Sequence, residues 1–177
     1  KGAVAIAERH FSFTPLVNAC WRALGARVSA RGVVVSELHG AADCPELLDI
    51  GEHAYLAAKV HVKPLAVDAA RGVVRAEGVR VGARCFVGPN TVLQPGSMVA
   101  TGAATGSSAV VAPRSTVPPG RIAIGDSERP LTLAWRPRHL DASAERELSW
   151  TVVSSSLMAC TELLARVVAV LAPRALI

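Results

Sequence analysis

Every sixth residue from Val81 to Val117 is aliphatic or threonine: Val81, Val87, Leu93, Val99, Thr105, Val111 and Val117 open seven consecutive hexads in unbroken register. The fifth column of the same frame is small in six of seven hexads, with Cys85, Thr91, Ser97, Ala103, Ala109 and Ser115 before Arg121 breaks it. In an extended segment, residues two apart point the same way. Each small fifth residue therefore faces inward with the branched residue that opens the next hexad. Gly82, Gly88 and Gly106 occupy the second column, with Gly96, Gly102 and Gly120 nearby, and such residues suit sharp corners. A short strand with two inward residues, then a corner, repeated every six residues, predicts an all-β solenoid, the architecture that hexapeptide periods mark.

Away from this stretch the rhythm weakens. VSARGV and VVSELH from Val28 follow it loosely, Ala41 to Glu46 interrupts it, and IGEHAY and LAAKVH from Ile50 restore it, with Ile50, Ala54, Leu56, Val60 and Val62 inward. Between Lys63 and Glu77 the register is lost, which predicts a loop leaving the solenoid and folding back as a hairpin around Ala70 to Gly72. Projecting loops on rigid scaffolds are where function tends to sit. Upstream, Thr14-Pro15 supplies an N-cap and a first-turn proline. Leu16, Val17, Cys20, Trp21 and Leu24 then recur at helical spacing until Gly25, so a short amphipathic helix is expected. Downstream, Val153, Leu157, Cys160, Leu164, Val168 and Leu171 form one stripe with the pair Glu162 and Arg166 opposite, predicting a C-terminal amphipathic helix. Nine Leu or Val residues between Thr151 and Ala172 favour membrane insertion by roughly 3 to 5 kcal/mol, against roughly 5 to 7 for that Glu and Arg. Packing on the solenoid, at a membrane face or among other spans is expected instead. The expected division is residues 1–27 as an N-terminal segment and helix, 28–125 as the solenoid with its excursion at 63–77, and 126–177 as a C-terminal extension and helix.

A net charge of +5, almost all of it arginine, favours anionic partners. No basic run is interleaved with aromatics, so nucleic acid is not expected. Cys20, Cys44, Cys85 and Cys160 are widely spaced, without a C-x-x-C pair, which argues against a zinc or disulfide framework. The chain opens on Lys1 rather than Met, and a piece of something longer is expected.

The columns resemble the hexapeptide-repeat pattern of left-handed parallel β-helix acyltransferases. That resemblance implies three hexads per triangular turn, with Val81–Met98 stacked under Val99–Thr116. It also implies transfer of an acyl group from a thioester to an amine or hydroxyl. Carbonic anhydrases and inert proteins share the scaffold, so fold alone does not name the reaction. The acceptor loses a proton as it attacks, and a histidine suits that task. His61 stands where the coil ends and the excursion begins, the kind of place where such acyltransferases hold their base, and it is the expected catalytic residue. His53 falls at a turn, His39 ends a weak hexad and could support a neighbour or a carboxylate, and His10 and His139 lie outside the solenoid. Zinc chemistry of the anhydrase kind requires three histidines, and Val81 to Ile122 has none, so no metal is expected. Asp43, Glu46, Asp49 and Glu52 are available to orient His61, with Asp49 and Glu52 the candidates put forward. Arg84, Arg114 and Arg121, with Arg80, could meet the phosphates of coenzyme A or of a phosphopantetheine arm.

A closer similarity runs through WRALGARV, DCPELLDIGEHAYLAAKVHV, VRVGARCFVG, SSAVV and VPPG. In this order they resemble the C-terminal region of nonribosomal-peptide-synthetase-like proteins of the poly-lysine synthetase type, over roughly residues 14 to 131. This implies a non-canonical condensation unit in which His61 deprotonates an amine and the donor arrives as a carrier-bound thioester. It further implies neighbouring membrane segments at the cytoplasmic face of a bacterial inner membrane, and a homotrimer or an internal pseudo-trimer. The competing expectations are a non-catalytic scaffold copy and a sugar O- or N-acetyltransferase using free coenzyme A.

Overall fold

The inward columns wind the chain into a three-walled stack. The computed structural model describes residues 14–31, 34, 35, 37–126 and 131–134. Helix α1 (Pro15–Ala23) leads into a first coil of β1 (Arg27–Val28), β2 (Val34–Val35) and β3 (Leu38–His39). A second coil follows as β4 (Leu48–Ile50), β5 (Tyr55–Leu56) and β6 (Val60–Val62), and then the excursion as β7 (Leu65–Asp68) and β8 (Val73–Ala76). The third is β9 (Val79–Val81), β10 (Phe86–Val87) and β11 (Val92–Leu93), and the fourth β12 (Met98–Val99), β13 (Ala104–Thr105) and β14 (Val110–Val111). The chain closes on β15 (Thr116–Val117), β16 (Arg121–Ile124) and β17 (Leu131–Ala134).

Strands of successive coils pair in parallel into three walls: β1-β4-β9-β12-β15, β2-β5-β10-β13-β16, and β3-β6-β11-β14. The architecture is therefore a parallel β-helix. Arg80 pairs with Met98 and Met98 with Thr116, eighteen residues further each time, so three hexads make one turn. His61 pairs with Val92, thirty-one residues on, and the thirteen extra residues are the excursion. That excursion is an antiparallel ribbon, β7 with β8, turning where the sequence placed a hairpin.

Side chains of the first column, Val81 through Val117, are all buried, and so are Cys85, Thr91, Ser97, Ala103 and Ala109 of the fifth. Burying each Val or Leu contributes about 1.5 to 3 kcal/mol, and the narrow interior leaves room for only one large residue beside a small one. Thr105, the polar member of its column, stays buried because its hydroxyl is used. It accepts from the Gly88 amide at 3.1 Å and lies 3.2 Å from the Thr91 hydroxyl, which in turn donates to the Gly106 carbonyl at 3.0 Å.

The corners correct the sequence reading. The second-column glycines do not turn the chain. In every hexad of the regular stretch it is the fourth residue, Arg84, Asn90, Gly96, Gly102, Ser108, Arg114 and Gly120, that has positive φ, between 53° and 72°. His53 and Lys59 do the same in the second coil. Gly82 and Gly88 serve a different end. A Cβ on either would lie 2.6 Å from backbone atoms of the coil above, Thr101 N and Gly106 C respectively, so these glycines let the turns stack closely.

Helix α1 packs on β1 and β2 with Val17 and Trp21 buried, closing the first coil. It starts at Pro15, and Gly25 at φ 102° ends it, as the sequence predicts. At the other end β17 pairs antiparallel with β16, a strand that no hexad foretold. The expected C-terminal amphipathic helix and residues 1–13 lie outside the described residues. Among those described, no helix is long and apolar enough to cross a membrane.

Candidate active site

Alternation on β6 decides the direction of His61. Val60 and Val62 point into the core, so the imidazole between them stands on the outer face of the third wall, half-buried. Its amide donates to the Thr91 carbonyl at 2.8 Å, which locks the strand to the coil above. In the coil below, His39 occupies the register position of His61, and the two rings stack at 5.0 Å between centroids with 28° between planes. Above, the register partner is the apolar Val92. Burial, then the charge of His39, then that of Lys63, hold the His61 pKa below the ordinary 6.5. Such an imidazole remains neutral, with a nitrogen lone pair available, at pH values where a free histidine begins to charge.

Immediately after His61 the ribbon leaves the corner between the third and first walls. Its base is closed twice. The Glu77 amide donates to the Pro64 carbonyl at 2.8 Å, and Arg114 donates through Nε to both carboxylate oxygens of Glu77, at 3.0 and 2.8 Å, and through Nη2 to Oε1. The Arg114 hydrogen bonds hold the Glu77 carboxyl below its usual range. Beside the base, on the first wall, lies a groove of about 390 Å³ lined by Arg27, Leu47, Arg80, Met98 and Thr116 among others.

Several expected site residues fall elsewhere. Asp49 is two walls before His61, on the outer face of the first wall, with its carboxylate 3.3 Å from Arg27. Glu52 sits at the next corner, 4.0 Å from Arg31. Neither carboxylate shares the wall of His61, because each wall takes only every third hexad. The arginines do not share a groove either. Arg84 turns the corner between the first and second walls, Arg114 is engaged by Glu77, and Arg121 opens β16 on the second wall. Of the four, Arg80 alone lines the groove. Among the described residues no group of three or more His, Cys, Asp or Glu is placed to hold a metal ion. What the sequence reading missed is His39 as the neighbour of His61. The signal was present, since VVSELH and LAAKVH both end in histidine at the sixth, outward position.

Compared with solved structures, the chain superposes on a maltose O-acetyltransferase from Clostridium difficile 630 with a TM-score of 0.55 at 16% identity, over 77% of this chain and 86% of that one. A hexapeptide-repeat-containing acetyltransferase from Vibrio cholerae matches with a TM-score of 0.54 at 13% identity, over 76% and 89%. The fold is the one these hexapeptide-repeat acetyltransferases share. The N-acyltransferase AntD from Bacillus cereus matches at a TM-score of 0.47 and 15% identity, over 59% of this chain, which spans 60% of that one's length. No protein-family model matches the chain, and no curated protein matches it.

Proposed function

We propose that the chain is an acyltransferase unit in which His61 is the general base. The observation that carries this reading is the His61 imidazole itself: outward, half-buried, held below its ordinary pKa and set at the root of a projecting ribbon. In the proposed step a primary amine, hydrogen-bonded to the free nitrogen of His61, attacks the thioester carbon. The new C–N bond forms as the amine proton passes to the imidazole. The C–S bond then breaks, and the departing thiolate takes that proton back, leaving His61 neutral for another turnover. General base assistance of this kind contributes about 10² to 10⁴ in rate. His61→Ala should therefore lower transfer from acetyl-CoA to short amines by at least about a hundredfold, and a wild-type rate in that variant would remove the assignment.

The winding sense is proposed to be left-handed, which suits the positive φ at every fourth hexad position. The donor is a thioester of coenzyme A or of a carrier arm. Coenzyme A is supported by a similar fold, the Vibrio cholerae acetyltransferase, having been crystallised with acetyl-CoA. A carrier-bound donor would make the chain the condensation unit that its motifs resemble, at a membrane face and in a trimer or pseudo-trimer. Titrating binding of coenzyme A against a loaded carrier protein separates the two donors. A non-catalytic scaffold copy is the second reading, and one observation favours it: neither carboxylate put forward to orient His61 stands beside it.

A further inference from the structure

We propose that His39 is a positioning residue for His61, its ring being the platform that fixes the plane of the base and the direction of its free nitrogen. This rests on His61 being the base. The placement is set by the backbone, since the two residues are register partners on adjacent parallel strands and both point outward. Stacking in an outward column is a general device of this prism. On the second wall Tyr55 and Phe86, also register partners, stack at 5.5 Å with only 2° between planes. At 5.0 Å and 28°, the histidine pair is the polar counterpart on the third wall.

On its upper side His61 has in register the apolar Val92, which offers its ring no hydrogen bond, and the ring contact comes from below, from His39. The charged groups on the elements around it are Glu37 just before β3, His39 in β3, Asp43 in the turn after β3, and Lys59 and Lys63 flanking β6, while β11 brings none. Of these, His39 and Lys63 act on the charge of His61, both disfavouring the imidazolium. One ring thus does two things to the other: it sets its plane, and it opposes its protonation.

The two effects separate by substitution. His39→Ala removes ring and charge, whereas His39→Phe keeps a ring and removes the charge. His39 is exposed, so neither change disturbs the core. In the full chain, with acetyl-CoA and short primary amines, His39→Ala should lower kcat about tenfold or more with KM for acetyl-CoA unchanged, the scale of a misdirected catalytic group. His39→Phe should recover most of that loss at pH 8. The titration of His61 by proton NMR, with its resonances assigned by their loss in His61→Gln, should move to higher pH in both variants. A kcat in His39→Ala within twofold of wild type, or a His61 midpoint unmoved in His39→Phe, overturns the proposal. Should His61→Ala transfer at the wild-type rate, the base assignment fails on its own, and the NMR titration still reads the pair.

Discussion

Two glycines twenty residues apart should respond to the same substitution by different mechanisms and amounts. At Gly82 a Cβ would meet Thr101 N at 2.6 Å and Ala100 C and Thr101 Cα at 3.0 Å, where ordinary contact begins at 3.4 Å. Relief requires the third and fourth coils to part by about 0.8 Å at that corner, against a normal strand spacing of about 4.8 Å. The Gly82 amide donates to the Val99 carbonyl at 2.8 Å, and a separation of that size takes the bond out of range. Losing it costs about 1 kcal/mol and the residual overpacking about 2 kcal/mol, so Gly82→Ala should destabilise by about 3 kcal/mol. At Gly102 a Cβ meets nothing within 4 Å, but φ is 71°. Gly102→Ala therefore meets only the left-handed penalty of about 1 kcal/mol, and Gly102→Asn should cost less, as Asn90 already adopts φ 56°. Urea unfolding of the full chain measures all three. In melting temperature the expected drops are about 6 to 12 °C for Gly82→Ala and about 2 to 4 °C for Gly102→Ala. If Gly102→Ala proved the more damaging, the assignment of corner-turning to the fourth column and close stacking to the second would be refuted.

Transfer should rise with pH as His61 loses its proton. Because burial, His39 and Lys63 push its pKa down, the half-maximal rate should fall below the ordinary 6.5, and a midpoint above that value contradicts the environment described. Glu77→Gln should loosen the ribbon, seen as faster amide exchange over Leu65 to Ala76 with the coils unaffected. As the Glu77 carboxyl is held down by Arg114, the same loosening should appear in the wild type as pH falls from its ordinary 4.5 through the lower folded value, and unchanged exchange in both tests would count against the latch. Thr105→Val should cost about 1 kcal/mol in urea unfolding, and combining it with Thr91→Val should cost less than the sum of the singles, since the two hydroxyls share one bond. Strict additivity would mean that the bond contributes nothing.

The solenoid was legible because its code is redundant. Six aliphatic and six small residues repeat one instruction, so Thr105 or Arg121 can depart from it without obscuring the period. The corners were not legible in the same way. Positive φ is met by Gly96, Gly102 and Gly120, but also by Arg84, Asn90, Ser108 and Arg114, so the column has no common residue type. Conformation there is imposed by the closed three-walled path, which overrides the local preference of an arginine or a serine. The second column misleads for the opposite reason, since its glycines catch the eye as turns while their work is to admit the neighbouring coil.

The site follows the same division. The outward placement of His61 at the root of the excursion was legible, since one strand's alternation and the break in register after Lys63 locate it without reference to any other coil. Its surroundings depend on which residues of other coils share its wall, and that requires the hexads to be counted correctly through the irregular first coil. There the register partners of Asp49, Tyr55 and His61, namely Arg27, Val34 and His39, are seven and five residues apart instead of six and six, and the two 3-10 turns at Ala41–Asp43 and Pro45–Leu47 add four more before Asp49. The shift of one residue cancels by His39, and for that reason the histidine lands squarely under His61. Proximity in sequence pointed instead to Asp49 and Glu52, which belong to other parts of the prism. In a solenoid the neighbour of a residue is the one a full turn away, so an orienting partner has to be sought by counting turns along a wall, where His39 stands and where neither Asp49 nor Glu52 does.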